Sequence, residues 1–290
     1  MRCRLSLRIS QIIVVVAAPA LLMAQAAKGP VIQDGKPAVT TVTPAPKGPT
    51  GKPVFSGIWG TPSTDERKLL VARGVMEQGR QEQPALTDWA AERYGYNRDS
   101  RPGSKLEGFA PSNFGGRPEL NPMLKCVPPG TAWLITGWNS ISPQEFIQSD
   151  KRIMIFYEYD HTIRQIWMDG RKHPETLEPS FVGHSIGSWE GDTLVVDTVG
   201  MKPEPWLTSN GHVASAGLHI VEHYRRLDND TMEVQLTYDD PKAFTKPWNR
   251  KLFLRYRPNW EMIEGAVRCY PGSEDRNAQE DHFDSLFTTN

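Results

Sequence analysis

His184 and Asp197 lie on the two arms of a predicted β-hairpin whose turn contains Gly191. A two-residue turn at Glu190-Gly191 places His184 directly opposite Asp197 on antiparallel strands, and we adopt it. A three-residue turn would pair Ser185 with Asp197 instead. A carboxylate that orients an imidazole makes it a general acid or base near neutral pH. His184 and Asp197 are therefore the predicted catalytic residues, and the alternative is a structural histidine in the core.

A group of aromatic and polar residues occupies the hairpin before this one. A two-residue turn at Asp160-His161 would place Tyr157 opposite Arg164, with Tyr159 at the end of the same strand. Tyrosine hydroxyls and a guanidinium bind a carboxylate or phenol while aromatic faces hold the rest of the molecule. We therefore predict Tyr157, Tyr159, Arg164 and Trp167 as substrate-binding residues. The alternative is an ordinary aromatic and cation pair on the outer surface.

The segment His219-Ile-Val-Glu-His223 has the letters of a zinc-protease motif. That motif requires a helix, whereas Ile220 and Val221 favour a strand. Two histidines four residues apart on a strand are about 13 Å apart, too far to bind one metal ion. We predict no metal site here and assign His219 to the substrate pocket beside His184.

Two loops carry further charged residues, Asp169 to Pro174 and Asp239 to Trp248. Gly170 and Pro241 are typical of turns, so we interpret both loops as structural, although loops at barrel rims also bind substrates. The sequence contains no phosphate-binding glycine loop, dinucleotide fingerprint or haem attachment motif. We therefore predict no cofactor.

Short apolar and β-branched runs, separated by turn residues, recur from Trp133 onward and predict strands. The predicted strands are Glu145 to Gln148, Arg152 to Tyr159, Thr162 to Met168, Val182 to Trp189, Thr193 to Val199, His219 to Leu227, Thr231 to Tyr238, Arg250 to Arg257 and Glu261 to Val267, and Val54 to Trp59 precedes them. Short turns force neighbouring strands to be antiparallel. Several strands are apolar on both faces, which favours a sheet that closes on itself.

The predicted fold is therefore mainly β: an antiparallel up-and-down β-barrel of roughly eight to ten strands, a lipocalin-like meander. Helix-forming residues with N-terminal threonines predict short helices over Thr64 to Gly79 and Thr87 to Tyr94. We place these helices over one mouth of the barrel. A two-sheet sandwich is the alternative. The Gly- and Pro-rich segment Asn97 to Pro122 is either a lid or an insertion.

The first residues have the pattern of an export signal. Met1 to Ala26 contains three arginines, an apolar run from Ile12 to Met23 and a final Ala-Gln-Ala triplet. A membrane anchor is the weaker interpretation because Pro19 interrupts the short run. Residues 27–53 are rich in Pro, Gly, Thr and Lys and predict a disordered linker, and residues 54–290 predict a single barrel domain. We expect a periplasmic or secreted protein without stable membrane insertion.

Charge and cysteine content constrain the partners. The chain has 33 basic and 34 acidic residues; the leader contains three arginines, so the mature chain has a net charge of about −4. This balance argues against a nucleic-acid partner. Cleavage removes Cys3 and leaves Cys126 and Cys269, which we predict to form a disulfide in an oxidising compartment. The oligomeric state is not specified by the sequence.

Several sequence blocks are distinctive, above all Gly183-His-Ser-Ile-Gly187 followed by Trp189 to Thr198. The other blocks are Phe55 to Trp59, Cys126 to Gly130, Tyr157 to Ile166, Asp169 to Pro174 and Asp239 to Trp248. Together they are spread over most of Val54 to Cys269, and here the chain resembles a group of exported bacterial β-rich proteins of unknown function. The resemblance implies a secreted ligand-binding protein and assigns no reaction.

Three functions are consistent with these residues. The first is a cofactor-free acid-base enzyme, a lyase or isomerase, that acts on a small apolar molecule, aromatic or phenolic, in a barrel pocket. The second is a lipocalin-like carrier that binds the same kind of ligand without chemistry. A structural protein with a solid barrel is the third. The sequence does not name the substrate.

Overall fold

The computed structural model describes residues 42–77, 82–98, 120–136 and 143–262. The elements in chain order are β1 (Gly57–Gly60), α1 (Thr64–Ala72), α2 (Asp88–Arg98), α3 (Thr131–Thr136), β2 (Gln144–Gln148), β3 (Arg152–Tyr157), β4 (Ile163–Trp167), β5 (His184–Glu190), β6 (Thr193–Val199), β7 (His219–Arg226), β8 (Thr231–Asp239) and β9 (Trp248–Tyr256), with 3₁₀ turns at Pro122–Lys125 and Tyr159–His161. The leader Met1 to Ala26, Cys269 and most of the strand Glu261 to Val267 lie outside the described residues, so these stay predictions.

The nine described strands close into one barrel in sequence order, and β9 pairs with β1. The prediction of a mainly β protein built on a closed barrel is confirmed, and the two-sheet sandwich is wrong. All neighbouring strands are antiparallel except β4 and β5, which are parallel. Strand directions can alternate all the way around a ring only when the number of strands is even. A ring of nine strands therefore contains at least one parallel pair.

The predicted meander is wrong at this one junction. Parallel neighbours require a crossover connection, and residues 168–183 form it between β4 and β5. The two strands share only two registered pairs, Ile166 with Ser185 and Trp167 with Ile186. The alternation of apolar residues located both strands but carries no information on strand direction, which depends on the path of the connection.

The inner faces of the strands are filled by alternating side chains, as the period of two requires. Fully buried inner side chains include large aromatic residues and one arginine, namely Trp59, Phe146, Tyr157, Arg164, Tyr224 and Tyr238. Residues between them point outward, and Ile163 on β4 is 56% exposed. The barrel core therefore consists of packed aromatic and aliphatic side chains around a small polar centre.

The N-cap of helix α1 is Ser63, one residue before the predicted N-cap Thr64. The Ser63 side chain accepts from the backbone of Glu66, and the Glu66 carboxylate accepts from the backbone of Ser63, which forms a capping box. The same carboxylate accepts hydrogen bonds from Arg257, directly after β9. Helix α1 is thus attached to the C-terminal end of β9.

Helix α2 lies at the other end of the barrel. Thr87 caps it, since its hydroxyl accepts from the backbone of Ala90, and the Thr87 N–H donates to Ala243 in the segment leading into β9. Helix α3, wholly buried, lies at this end too: its Thr136 hydroxyl is 3.3 Å from that of Tyr238 at the end of β8. The prediction that both N-terminal helices cover one mouth is wrong, because the sequence pattern predicts a helix without locating it.

The end of the predicted linker contacts the barrel. Lys47 binds Asp192 at 2.8 Å, and Lys52 donates to the carbonyl of Gly191, both in the β5–β6 turn. The Asn229 N–H donates to the carbonyl of Thr43. Residues within 42–53 of the predicted linker therefore contact the barrel through charged and backbone groups. In the described part of the chain, no helix is long and apolar enough to span a membrane.

Candidate active site

The hairpin of β5 and β6 has a register that differs from both predicted ones. Its two-residue turn is Gly191-Asp192, and Gly191 has φ 59°, a conformation that glycine adopts without strain. Glu190 stays in the strand opposite Thr193, so Ile186 faces Asp197 and His184 faces Val199. The predicted pairing of His184 with Asp197 is wrong by two residues. A slip of two residues keeps both side chains on the same face.

That face is the outside of the barrel. The neighbouring residues Ser185 and Thr198 are buried in the interior, whereas His184 and Asp197 are half-buried and point outward. His219 on β7 shares the outer face, because it lies two residues before Val221, the partner of Asp197. The predicted pocket inside the barrel is therefore wrong for all three residues, although the three do lie on one face.

A third histidine, His173, connects them. It comes from the crossover between β4 and β5, and its Nδ1 lies 2.8 Å from Nδ1 of His184. Its Nε2 lies 3.2 Å from Oδ1 of Asp197, and Nε2 of His219 lies 2.8 Å from the same oxygen. We call this set, His184, His173, Asp197 and His219, the histidine chain. Asp197 thus orients His184 through His173 and not by direct contact.

The hydrogen bonds assign the tautomers of the histidine chain. The carboxylate of Asp197 accepts from Nε2–H of His219 and from Nε2–H of His173. A neutral His173 then has an unprotonated Nδ1, which accepts from Nδ1–H of His184. His184 is left with an unprotonated Nε2, which has no hydrogen-bond partner among the described residues. This nitrogen is the free base of the site.

The surroundings keep His184 neutral. Burial lowers the pKa of His184 below its usual value of 6.5, and so does the repulsion that an imidazolium at His184 would meet from a protonated His173 and from Arg171. The site remains accessible, since the side chains of His173, His219 and Asp197 are 21%, 36% and 41% exposed. A neutral and accessible imidazole at neutral pH is chemically suited to accept a proton.

The backbone around Gly183 positions His184. Gly183 has φ 68°, and a Cβ at this position would lie 2.7 Å from the carbonyl oxygen of Val199 and 2.8 Å from Cγ of Met201. Only glycine allows the crossover to approach β6 so closely. The Ser180 N–H donates to the carbonyl of Gly200, which fixes the crossover just before this point. His184 therefore enters β5 at a defined position.

No protein-family model, curated protein or solved structure matches the chain. The site is consequently interpreted from its own geometry.

The predicted substrate-binding arginine lies inside the barrel, away from the histidine chain. Arg164 is 1% exposed and makes a two-pronged ion pair with Glu222 on β7, at 2.9 and 2.5 Å. Its remaining contacts go to the hydroxyls of Ser185 on β5, at 3.1 Å, and Thr198 on β6, at 2.7 Å. Burial favours the neutral form, but Glu222 raises the pKa of Arg164 above its usual value. Arg164 therefore links four strands and does not contact the outer site.

Tyr157 points into the same interior. Its predicted partner was Arg164, but Ile155 faces Arg164, because the loop after β3 is longer than two residues and includes Asp160 at φ 59°. The Tyr157 hydroxyl is fully buried and has no hydrogen-bond partner among the described residues. Burial raises the pKa of Tyr157 to about 12. Tyr224 donates to Glu222 at 2.6 Å and completes this polar centre.

The other predicted residues lie in different places. Tyr159 belongs to the 3₁₀ turn, where its ring packs on Trp133 of α3 with centroids 4.7 Å apart. Trp167 is on the outer face, and the guanidinium carbon of Arg171 lies 3.5 Å above its ring. The partner predicted for Cys126, Cys269, is outside the described residues, so the disulfide stays a prediction.

The histidine chain does not converge on one metal position. His184 and Asp197 contact opposite nitrogens of His173, so a single ion cannot contact all of them. Within residues 42–77, 82–98, 120–136 and 143–262, no three His, Cys, Asp or Glu side chains are arranged to hold a metal ion.

Two important residues were missed by the sequence interpretation. His173 was in a loop interpreted as structural, and its position four residues after Asp169 gave no sign that the loop returns to β5. Glu222 was visible in principle, because it alternates with Ile220 and Tyr224 on the buried face of β7. A carboxylate between two buried apolar positions predicts a buried cationic partner, and Arg164 holds the same kind of position on β4.

Proposed function

We propose that the protein is a cofactor-free acid-base enzyme, a lyase or isomerase, whose general base is Nε2 of His184. The observation that carries the proposal is the histidine chain, in which Asp197 sets the tautomer of His173 and His173 sets that of His184. The substrate is a small, largely apolar molecule, aromatic or phenolic, with an acidic C–H or O–H bond. It binds on the outer surface, beside the crossover between β4 and β5.

Proton transfer follows from the hydrogen bonds. Nε2 of His184 takes the proton, and the electron pair of the broken bond stays on the substrate. The resulting imidazolium is stabilised because its Nδ1–H already donates to His173, whose Nε2–H donates to the Asp197 carboxylate. Returning the proton to another carbon gives an isomerase, and loss of a leaving group gives a lyase. His219 holds Asp197 in place with its own hydrogen bond.

The alternative is a lipocalin-like carrier with a ligand inside the barrel. The unpartnered hydroxyl of Tyr157 is the observation that favours it, since a buried polar group without a partner is costly unless a bound molecule satisfies it. The described interior is otherwise filled by large side chains such as Trp59 and Tyr238. A carrier returns its ligand unchanged after incubation. We propose export to the periplasm or the medium for either function.

The decisive experiment measures the tautomer of His184. Long-range ¹H–¹⁵N NMR spectra of protein labelled in histidine distinguish Nδ1–H from Nε2–H at neutral pH. We expect His184 as the Nδ1–H form, and His173→Ala should remove this preference because it removes the acceptor. An Nε2–H form of His184 in the native protein excludes the proposed base.

Catalysis is detected without knowledge of the full reaction. Small carbonyl and phenolic compounds are incubated with the protein in D₂O, and exchange of their acidic protons is followed by NMR. His184→Gln should abolish any exchange that the native protein accelerates. His223→Gln is the matched control, because His223 lies on the same outer face of β7, four residues beyond His219. If the compounds exchange their protons equally fast with His184→Gln and with native protein, His184 is not the general base.

A further inference from the structure

Arg171 occupies an unusual position on the crossover between β4 and β5. Its guanidinium carbon lies 3.5 Å above the ring of Trp167, and its Nε and Nη2 donate to the Asp169 carboxylate at 2.8 and 2.5 Å. Stacking and a forked ion pair together fix the plane of the guanidinium. The Arg171 side chain is nevertheless 40% exposed. Arg171 is therefore a rigid cation on the surface.

This cation lies next to the base of the proposed site. Trp167 pairs with Ile186, which points outward from β5 two residues after His184. Outward side chains two residues apart on a strand are about 7 Å apart. Arg171 also precedes His173 by two residues on the same crossover, and its charge lowers the pKa of His184. Trp167, Arg171 and His184 thus line one patch of the outer face.

One edge of the guanidinium is open. Nε and Nη2 of Arg171 are occupied by Asp169, but Nη1 has no hydrogen-bond partner among the described residues. A planar guanidinium recognises carboxylates and other planar anions through such an edge. Trp167 covers one face of the Arg171 guanidinium. The opposite face of the guanidinium is flat and suits an aromatic ring of a ligand.

We propose that Arg171, stacked on Trp167, binds an anionic group of the substrate, so that the substrate class is small aromatic carboxylates or phenolates. The inference rests on the proposed function, because it names the substrate class of the same site. The bound anion presents its acidic C–H or O–H bond to Nε2 of His184. When that bond breaks, its electron pair stays on the substrate, the proton moves to Nε2, and the added negative charge is stabilised by the guanidinium.

The test compares two probes of nearly identical shape, benzoate and its neutral analogue benzamide. Their affinities are measured by NMR titration, with the backbone N–H of Ile186, the registered partner of Trp167, as the reporter. We expect native protein to bind benzoate about tenfold more tightly than benzamide, the factor typical of one charge-assisted hydrogen bond at an exposed site. Arg171→Gln should abolish this preference. Trp167→Leu, which leaves the guanidinium unsupported, should reduce it.

The matched control is Arg225→Gln. Arg225 is 54% exposed and bound to Glu233, on the outer face of β7 near the opposite end of that strand from His219. This variant removes the same charge from the protein and should retain the preference for benzoate. Equal binding of the two probes, absence of saturable benzoate binding, or a preference that survives Arg171→Gln overturns the inference.

His184→Gln separates the two proposals. The preference for benzoate should persist in this variant, since the base does not bind the anion. Intact anion preference together with unchanged proton exchange means that the base is wrong and the anion site is right. Suppose instead that His184→Gln loses proton exchange and that native protein binds benzoate and benzamide equally. The base is then right and the anion site is wrong.

Discussion

Nε of Arg164 donates to Oγ of Ser185 at 3.1 Å across the junction of β4 and β5. This junction has only two registered backbone pairs, so side-chain hydrogen bonds supplement a short ladder. Arg164 continues across the interior to Thr198 on β6 and Glu222 on β7. Because Ser185 and Thr198 directly follow His184 and Asp197, the buried network fixes the strands that present the histidine chain on the opposite face.

Removing the buried cation should destabilise the protein strongly. Arg164→Met leaves Glu222 charged and unpaired at 0% exposure, which costs roughly 3–5 kcal/mol in known buried pairs. We expect a loss of this size in the free energy of unfolding, measured by urea denaturation followed by circular dichroism. The control is the double variant Arg164→Met with Glu222→Leu, which should recover much of the loss because no uncompensated charge remains. A single variant as stable as native protein would contradict this account of the junction.

The pKa of His184 should respond to Arg171. In the native protein that pKa lies below 6.5, chiefly because of burial, with further lowering by His173 and Arg171. Arg171→Gln removes a positive charge, so the pKa should rise but stay below its usual value, as burial persists. The measurement is an NMR pH titration of the His184 ring. Arg225→Gln should leave the titration unchanged, and a falling pKa in Arg171→Gln would be inconsistent with the proximity of the two groups.

The same lowered pKa has a consequence for stability. The unfolded chain binds a proton at His184 more readily than the folded chain does. The contribution of neutral His184 is therefore fully present above the unfolded pKa of 6.5 and is lost as the pH falls through the lower folded value.

Gly183→Ala should damage the site through the backbone. The added Cβ would meet Val199 and Met201 at under 3 Å, and the residue would keep φ 68°. We expect a loss of about 2–4 kcal/mol in unfolding free energy, from strain and overpacking combined, and displaced NMR signals of His184. Gly191→Ala is the control, since φ is 59° there but nothing lies within 4 Å of the added Cβ. Its loss should be only about 1 kcal/mol.

Glu66 should make stability depend on pH in the acid range. Burial alone raises its pKa, but hydrogen bonds from Arg257 and from the Ser63 backbone outweigh this and lower the pKa from 4.5 to about 2. The stabilisation is fully present above pH 4.5 and is lost as the pH falls through 2. Glu66→Gln should cost about 1–2 kcal/mol at neutral pH, allowing for solvent screening, and almost nothing at pH 2. Asp65→Asn, at a 90% exposed side chain, should be neutral throughout.

The strands were largely predictable from the sequence. Thr193 to Val199 has the predicted bounds, because β-branched residues alternate there between two short turns. The direction of β5 was not predictable, since it depends on where residues 168–183 pass, and that path is set by long-range contacts. Helix α3 was missed for a related reason: its six residues are all buried, so it shows no amphipathic pattern.

The candidate site was predicted in part. His184, Asp197 and His219 were selected correctly as neighbours on one face, but their face was taken as the interior. The inner face of a strand is predicted from whichever of its two alternating sets of residues is more apolar. Ser185 and Thr198 are polar, as are His184 and Asp197, so this rule did not identify the inner face. Only the partner of those hydroxyls, Arg164, explains why polar residues point inward there.

The odd number of strands in the described barrel has a consequence for the origin of the site. In a barrel whose strands all alternate in direction, a tight hairpin could join β4 to β5. The long connection over residues 168–183 would then be absent from the outer face. With nine strands and an antiparallel closing pair β9–β1, the parallel pair lies between β4 and β5 instead, and the long connection there carries both His173 and Arg171. Adding or deleting one strand at this corner would therefore restore perfect alternation and eliminate the proposed chemistry together with its anion anchor.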